Sequence, residues 1–166
     1  MTALFLIAAP PAGQAEEPVE AARKQAQAAG DATRKKDIDA LLFFTYPPVL
    51  EMMGGKAKAK EIILKGMADM EKQGFRIGPT TAHRGEQLIK GKDALYCLVP
   101  LDLEIVSPQG KLRTRSFMLG ISKDGGARWT FVSGSQLTPE MMRKLFPDVA
   151  DKIKIPPQKG PELVPN

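Results

Sequence analysis

The chain has a single histidine, His83, the one side chain whose ordinary pKa lies near neutrality, so proton transfer at physiological pH would start there. Two tyrosines, Tyr46 and Tyr96, could give a proton to a substrate oxygen opposite such a base. Asp102 and Glu104 stand two apart and share a strand face, as paired carboxylates in acid–base chemistry do. Ser122 and Asp124 would complete a nucleophile constellation if a histidine lay beside them. Cys97 is the only cysteine, which excludes an internal disulfide and, with one histidine, a Cys/His metal cluster. No metal and no cofactor is expected.

Each of these groups also has a structural reading. His83 follows a strand-like run in which Phe75, Ile77, Pro79, Thr81 and His83 share a face if the strand is regular, and Arg84 beside it opposes its protonation. Asp102 and Glu104 meet cations once the hairpin is put in register. With Ser107-Pro108-Gln109-Gly110 as the loop, Val106 faces Lys111, Glu104 faces Arg113 and Asp102 faces Arg115. On that same face Pro100 meets Phe117 and Leu98 meets Leu119, while Cys97, Val99, Leu101 and Leu103 oppose Gly120, Met118, Ser116 and Thr114. A carboxylate held by arginine is a poor base, so this reads as a ladder rather than a site. Gly54-Gly55-Lys56 lacks the spacing of a phosphate loop and reads as a turn.

The elements that must position these residues follow from period and punctuation. Glu16-Glu17-Pro18 opens a helix whose narrow, small-residue stripe is Val19, Ala22, Ala26, Ala29 and Ile38, with Gly30-Asp31 as an interruption. Asp37 caps a short helix carrying Leu41, Leu42 and Phe44, ended by Tyr46-Pro47-Pro48. Lys56 to Gln73 is helical again, with Ile62, Ile63, Met67 and Met70 inward and Gly74 as the stop. The period then changes to two. Phe75 to Lys90 reads as one long strand, bent near Gly78-Pro79 and Gly85, and turns into Ala94 to Val106 and its hairpin partner. Thr138-Pro139-Glu140 starts a last short helix, and beyond Pro147 the chain becomes a Pro- and Lys-rich tail.

Ser122-Lys123-Asp124-Gly125-Gly126-Ala127-Arg128-Trp129 resembles the Asp box, a hairpin motif repeated in sialidase-like propellers and found singly in other folds. Ser122, Asp124, Gly126 and Trp129 carry the likeness, and it implies a structural turn away from any catalytic face. Helices followed by a four-stranded antiparallel meander make an α+β roll. This order, from Glu16 to Gln136, resembles the nuclear transport factor 2-like superfamily, in particular its small exported bacterial members. The resemblance implies a cone-shaped, cystatin-like roll with a pocket between sheet and helices, and a homodimer formed through the outer sheet face. It also implies an alternative, a pocket enzyme of the ketosteroid isomerase or polyketide cyclase type with His83 as base and Tyr46 or Tyr96 as proton donor.

Composition agrees with one ordinary globular domain: 166 residues, 43% hydrophobic, 26% charged and 6% aromatic. A net charge of +5 is scattered, with Lys56, Lys58 and Lys60 its densest alternation, so no nucleic-acid surface is expected. Residues 1–15 read as a signal peptide, an apolar run from Ala3 to Ala9 too short to span a membrane and a small-residue site at Gly13-Gln14-Ala15. Such a signal ordinarily opens on Lys or Arg; Met1-Thr2 offers neither, which a start further upstream would explain. The expected chain is thus an exported, periplasmic or secreted domain over 16–136 with a short helix and tail over 137–166, the alternative being cytoplasmic. Its expected role is non-catalytic, binding a small apolar ligand in a Met-lined pocket or another protein. The face carrying Leu98, Asp102, Arg115, Phe117 and Leu119 is expected to lie exposed in a monomer and to form the dimer contact.

Overall fold

The structure is a computed structural model that describes residues 16–85, 87–157 and 159–164. The signal-peptide reading of residues 1–15 lies outside the described residues. The fold is α+β, with five α-helices and a six-stranded antiparallel sheet among the described residues.

Helix α1 spans Pro18–Lys35 and buries Val19, Ala21, Ala22, Ala26, Ala29, Gly30 and Ala32. Gly30 does not interrupt it. A Cβ at that position would stand 2.8 Å from the Cβ of Thr80, so the missing side chain is what lets the helix lie on the sheet. Helices α2 (Ile38–Phe44), α3 (Pro47–Met52) and α4 (Lys56–Lys72) follow. The Asp37 carboxylate accepts from the Ala40 amide at 3.1 Å and caps α2, as its sequence position predicts. On α4 the inward stripe is Ala59, Ile63 and Met67, packed on Ile38, Leu42 and Leu50. Ile62 was expected inward and is instead 44% exposed, because it stands roughly 100° around the helix from Ile63.

The strands are β1 (Arg76–Ala82), β2 (Leu88–Lys90), β3 (Leu95–Ser107), β4 (Gly110–Ser122), β5 (Thr130–Ser133) and β6 (Glu162–Leu163). The expected single strand over 75–90 is therefore two strands, both paired with β3. The β1–β3 register shifts between Ile77 and Thr80, at Gly78-Pro79, where proline has no amide for the ladder. The β3–β4 register matches the expected one pair for pair, from Cys97↔Gly120 through Asp102↔Arg115 to Val106↔Lys111. Beyond β4 the sheet continues with β5 and, further along the same strand, with β6.

Each face of the sheet has its own core. Ala82, Cys97, Val99, Leu101 and Phe131 point to one side, where Val19, Ala21, Ala22 and Ala26 of α1 cover them. Tyr96, Phe117, Leu119, Ile121 and Val132 point to the other. That second face was expected to lie open and is not. Helix α5 (Pro139–Leu145), capped by Thr138 Oγ1 at 3.1 Å from the Met141 amide, runs across it. Met142, Phe146, Val149 and Ile153 fill the layer, leaving Phe117 3% and Leu119 1% exposed. The apolar part of the expected dimer face is thus covered by the chain's own C-terminal segment, because burial within one chain satisfies it without a partner.

Candidate functional site

The Asp-box residues are a turn with every polar partner in place. Asp124 Oδ1 accepts from the amides of Ala127 and Arg128 at 3.1 and 2.9 Å and from the Ser122 hydroxyl at 2.9 Å. The Arg128 amide first, and the Ser122 hydroxyl second, hold the Asp124 carboxyl below the ordinary carboxylate value. Ser122 Oγ takes the Gly126 amide, and Trp129 Nε1–H closes the turn on the Gly126 carbonyl at 2.8 Å. Gly125 and Gly126 have φ of 80° and 102°, which side-chain-bearing residues rarely adopt. Gln25 of α1 reaches this turn, donating to the Ala127 carbonyl and accepting from the Trp129 amide. Ser122 and Asp124 are therefore engaged in structure, and His83 is not among their partners.

His83 lies just past β1, its amide bonded to the Pro100 carbonyl at 2.9 Å. Its Nε2 is 3.0 Å from Asp102 Oδ2, on the half-exposed surface of the second sheet face. Arg115 Nε approaches the other Asp102 oxygen at 3.8 Å, and Arg113 pairs with Glu104 at 3.3 Å, so the expected ladder is present. Arg84, the expected neighbour of His83, instead pairs with Glu17 at 2.7 Å. Nothing in the sequence pattern points to the His83–Asp102 contact. It depends on the Gly78-Pro79 bulge, which moves Thr81 opposite Asp102 and turns His83 toward it.

The tyrosines stand elsewhere. Tyr46 and Tyr96 flank the buried Phe146, with ring centroids 5.4 and 5.7 Å from it. Burial, then the charge of Asp148, raises the Tyr46 hydroxyl, and the same causes push Tyr96 up to about 12. Cys97 is fully buried, and burial pushes its thiol up to about 11. Thus the structure brings the tyrosines together in the core and sets His83 apart from both. Among the described residues no three His, Cys, Asp or Glu side chains could hold a metal ion.

Several concave regions lie among the described residues. Under the helices, Phe44, Val49, Met53, Met118 and Phe131 line a small apolar cavity of about 200 Å³. Beside the Asp-box turn, Phe43, Tyr46, Pro47, Pro48 and Trp129 line an open cleft of about 450 Å³. Another lies where the C-terminal segment leaves the second sheet face. Leu98, Pro100 and Phe117 form its sheet side, Pro156 and Pro157 its outer wall, and Arg115, Lys154 and Lys159 its charged lining, around about 340 Å³. An adjoining hollow of about 280 Å³ shares Arg115 and Lys159 and adds Arg113 and Glu162.

The groove is not legible in the sequence, where the Pro- and Lys-rich run past Pro147 reads as a tail. Thr114 Oγ1 instead donates to the Lys159 carbonyl at 3.2 Å, and β6 pairs with Leu112 and Arg113, so the segment is laid along β4. The run Ile155-Pro156-Pro157 was the available signal: proline there resists helix and favours an extended wall.

No family model, curated protein or solved structure matches this chain. Among the described residues no helix is long and apolar enough to cross a membrane.

Proposed function

We propose that this protein is a non-catalytic binding module for a small, largely apolar ligand, taken up in the groove between the β3–β4 face and the C-terminal segment. One observation carries the reading. The groove pairs an apolar sheet surface, the partly exposed Leu98 and Pro100 beside the buried Phe117, with a proline wall around about 340 Å³, within the roughly 300–1,000 Å³ usual for small-molecule sites. His83 and the two tyrosines occupy separate surroundings, which favours binding over proton transfer within hydrogen-bond reach. The helices ahead of an antiparallel sheet support a plan like that of the nuclear transport factor 2-like superfamily. The covered second face is a departure from that plan.

The test is titration of the protein with N-phenyl-1-naphthylamine, an uncharged dye that brightens in apolar surroundings. Saturable brightening is expected, and Pro156→Trp, which sets a bulky ring at an exposed groove position, is expected to abolish it. Equal brightening in the two proteins would move the site elsewhere. No brightening at all would remove the reading.

A further inference from the structure

We propose that the ligand of this groove is an anionic amphiphile, an apolar chain ending in a single carboxylate. The inference rests on the reading of the groove as a ligand site and adds the chemistry of its headgroup. An apolar ligand alone would need no charge in the lining, yet three cations border the apolar surface. Among the described residues neither Lys154 nor Lys159 has a carboxylate within ion-pair distance. The Arg115 side chain is 82% exposed, and among the described residues its one acidic contact is Asp102 at 3.8 Å, too long for a good hydrogen bond. Its guanidinium therefore retains donors suited to a planar carboxylate. Glu162 is the acid of the adjoining hollow and does not line the groove itself.

The geometry orders the ligand. Pro100 and Phe117 are a cross-strand pair, and Asp102↔Arg115 is the next same-face pair along the hairpin. Apolar floor and cation thus follow one another along one strand direction, at the two-residue step of a sheet. A chain lying against Leu98 and Pro100, beside Phe117, would bring its head to Arg115, with Lys154 and Lys159 reaching from the C-terminal side. Asp102 competes for the same guanidinium.

The experiment compares decanoate, decan-1-ol and decylamine, which share one chain and differ in head charge, by calorimetric titration below their aggregation concentrations. Decanoate is expected to bind on the order of tenfold more tightly than decan-1-ol, and decylamine more weakly than either. Added salt should narrow that spread by screening exposed charge. In the Arg115→Gln/Lys154→Gln variant the decanoate-to-decanol ratio should fall toward one. Asp102→Asn removes the competing carboxylate and should tighten decanoate, a gain that damage to the fold would not produce. Decan-1-ol binding as well as decanoate would overturn the carboxylate assignment while leaving the apolar-ligand reading intact. Binding of none of the three would overturn both. Decanoate preference unmoved by either variant would overturn the assignment to this groove.

Discussion

The backbone amide of Trp129 donates to Gln25 Oε1 at 2.9 Å, joining the end of the Asp-box turn to the middle of α1. The same side chain donates to the Ala127 carbonyl at 2.9 Å, so one glutamine satisfies both polar groups of an irregular backbone. Two residues along, Gln27 does the same for β1, donating to the Thr80 carbonyl and accepting from the Ala82 amide. Helix α1 is thereby clipped at both edges. Gln25→Ala is expected to cost about 1–3 kcal/mol, since two backbone groups lose their partners. Gln25→Glu should restore the acceptor for Trp129 but not the donor for Ala127. Chemical denaturation of the two variants checks the order, wild type above Glu above Ala.

Gly30 offers a second check on the same helix. In most helix interiors Gly→Ala stabilises by up to about 1 kcal/mol. Here the added methyl would meet Thr80 at 2.8 Å, so Gly30→Ala should lower the melting temperature instead. Shrinking the neighbour, in Gly30→Ala/Thr80→Ser, should recover part of the loss. A stabilised single variant would contradict the close approach.

The C-terminal layer is tested at Phe146, which is fully buried between Tyr46 and Tyr96. Phe146→Ala is expected to cost roughly 3–5 kcal/mol, as for a large core aromatic. If residues past 136 were a loose tail, the variant would unfold at the wild-type denaturant concentration.

Asp124 gives a prediction in pH. Its folded pKa lies below the unfolded value because the Arg128 amide and Ser122 hydroxyl bond the charged form. The carboxylate therefore contributes stability at pH values above the unfolded pKa of about 3.9. That contribution is lost as pH falls through the folded pKa. Urea midpoints should fall between pH 7 and pH 3 by less in Asp124→Asn than in wild type, because the amide has no such proton to gain.

Tyr96 gives the opposite slope. Its hydroxyl is pushed up to about 12, so the neutral form is favoured in the fold. Stability from this group is complete below the unfolded pKa of about 10 and is lost as pH rises through about 12. Tyr96→Phe should flatten the alkaline loss of stability measured from pH 9 to pH 12.

Features whose causes are local could be read from the residues alone. The β3–β4 register was legible because two residues of turn join the strands and Glu104, Asp102, Arg113 and Arg115 then fall into facing pairs. The Asp-box turn was legible because its bonds run between residues a few positions apart. The remaining features depend on contacts between distant segments. Whether His83 meets Asp102 turns on one extra residue at Gly78-Pro79, and a shift of one residue exchanges the faces of a strand. Whether Phe117 and Leu119 would meet solvent, a second copy or this chain depended on where residues 137–155 settle. An alternating strand states that a face is apolar and leaves open what covers it, since apolar burial has no direction of its own. The groove exists for that reason: the covering segment ends its apolar contact beside Phe117, one pair short of Arg115.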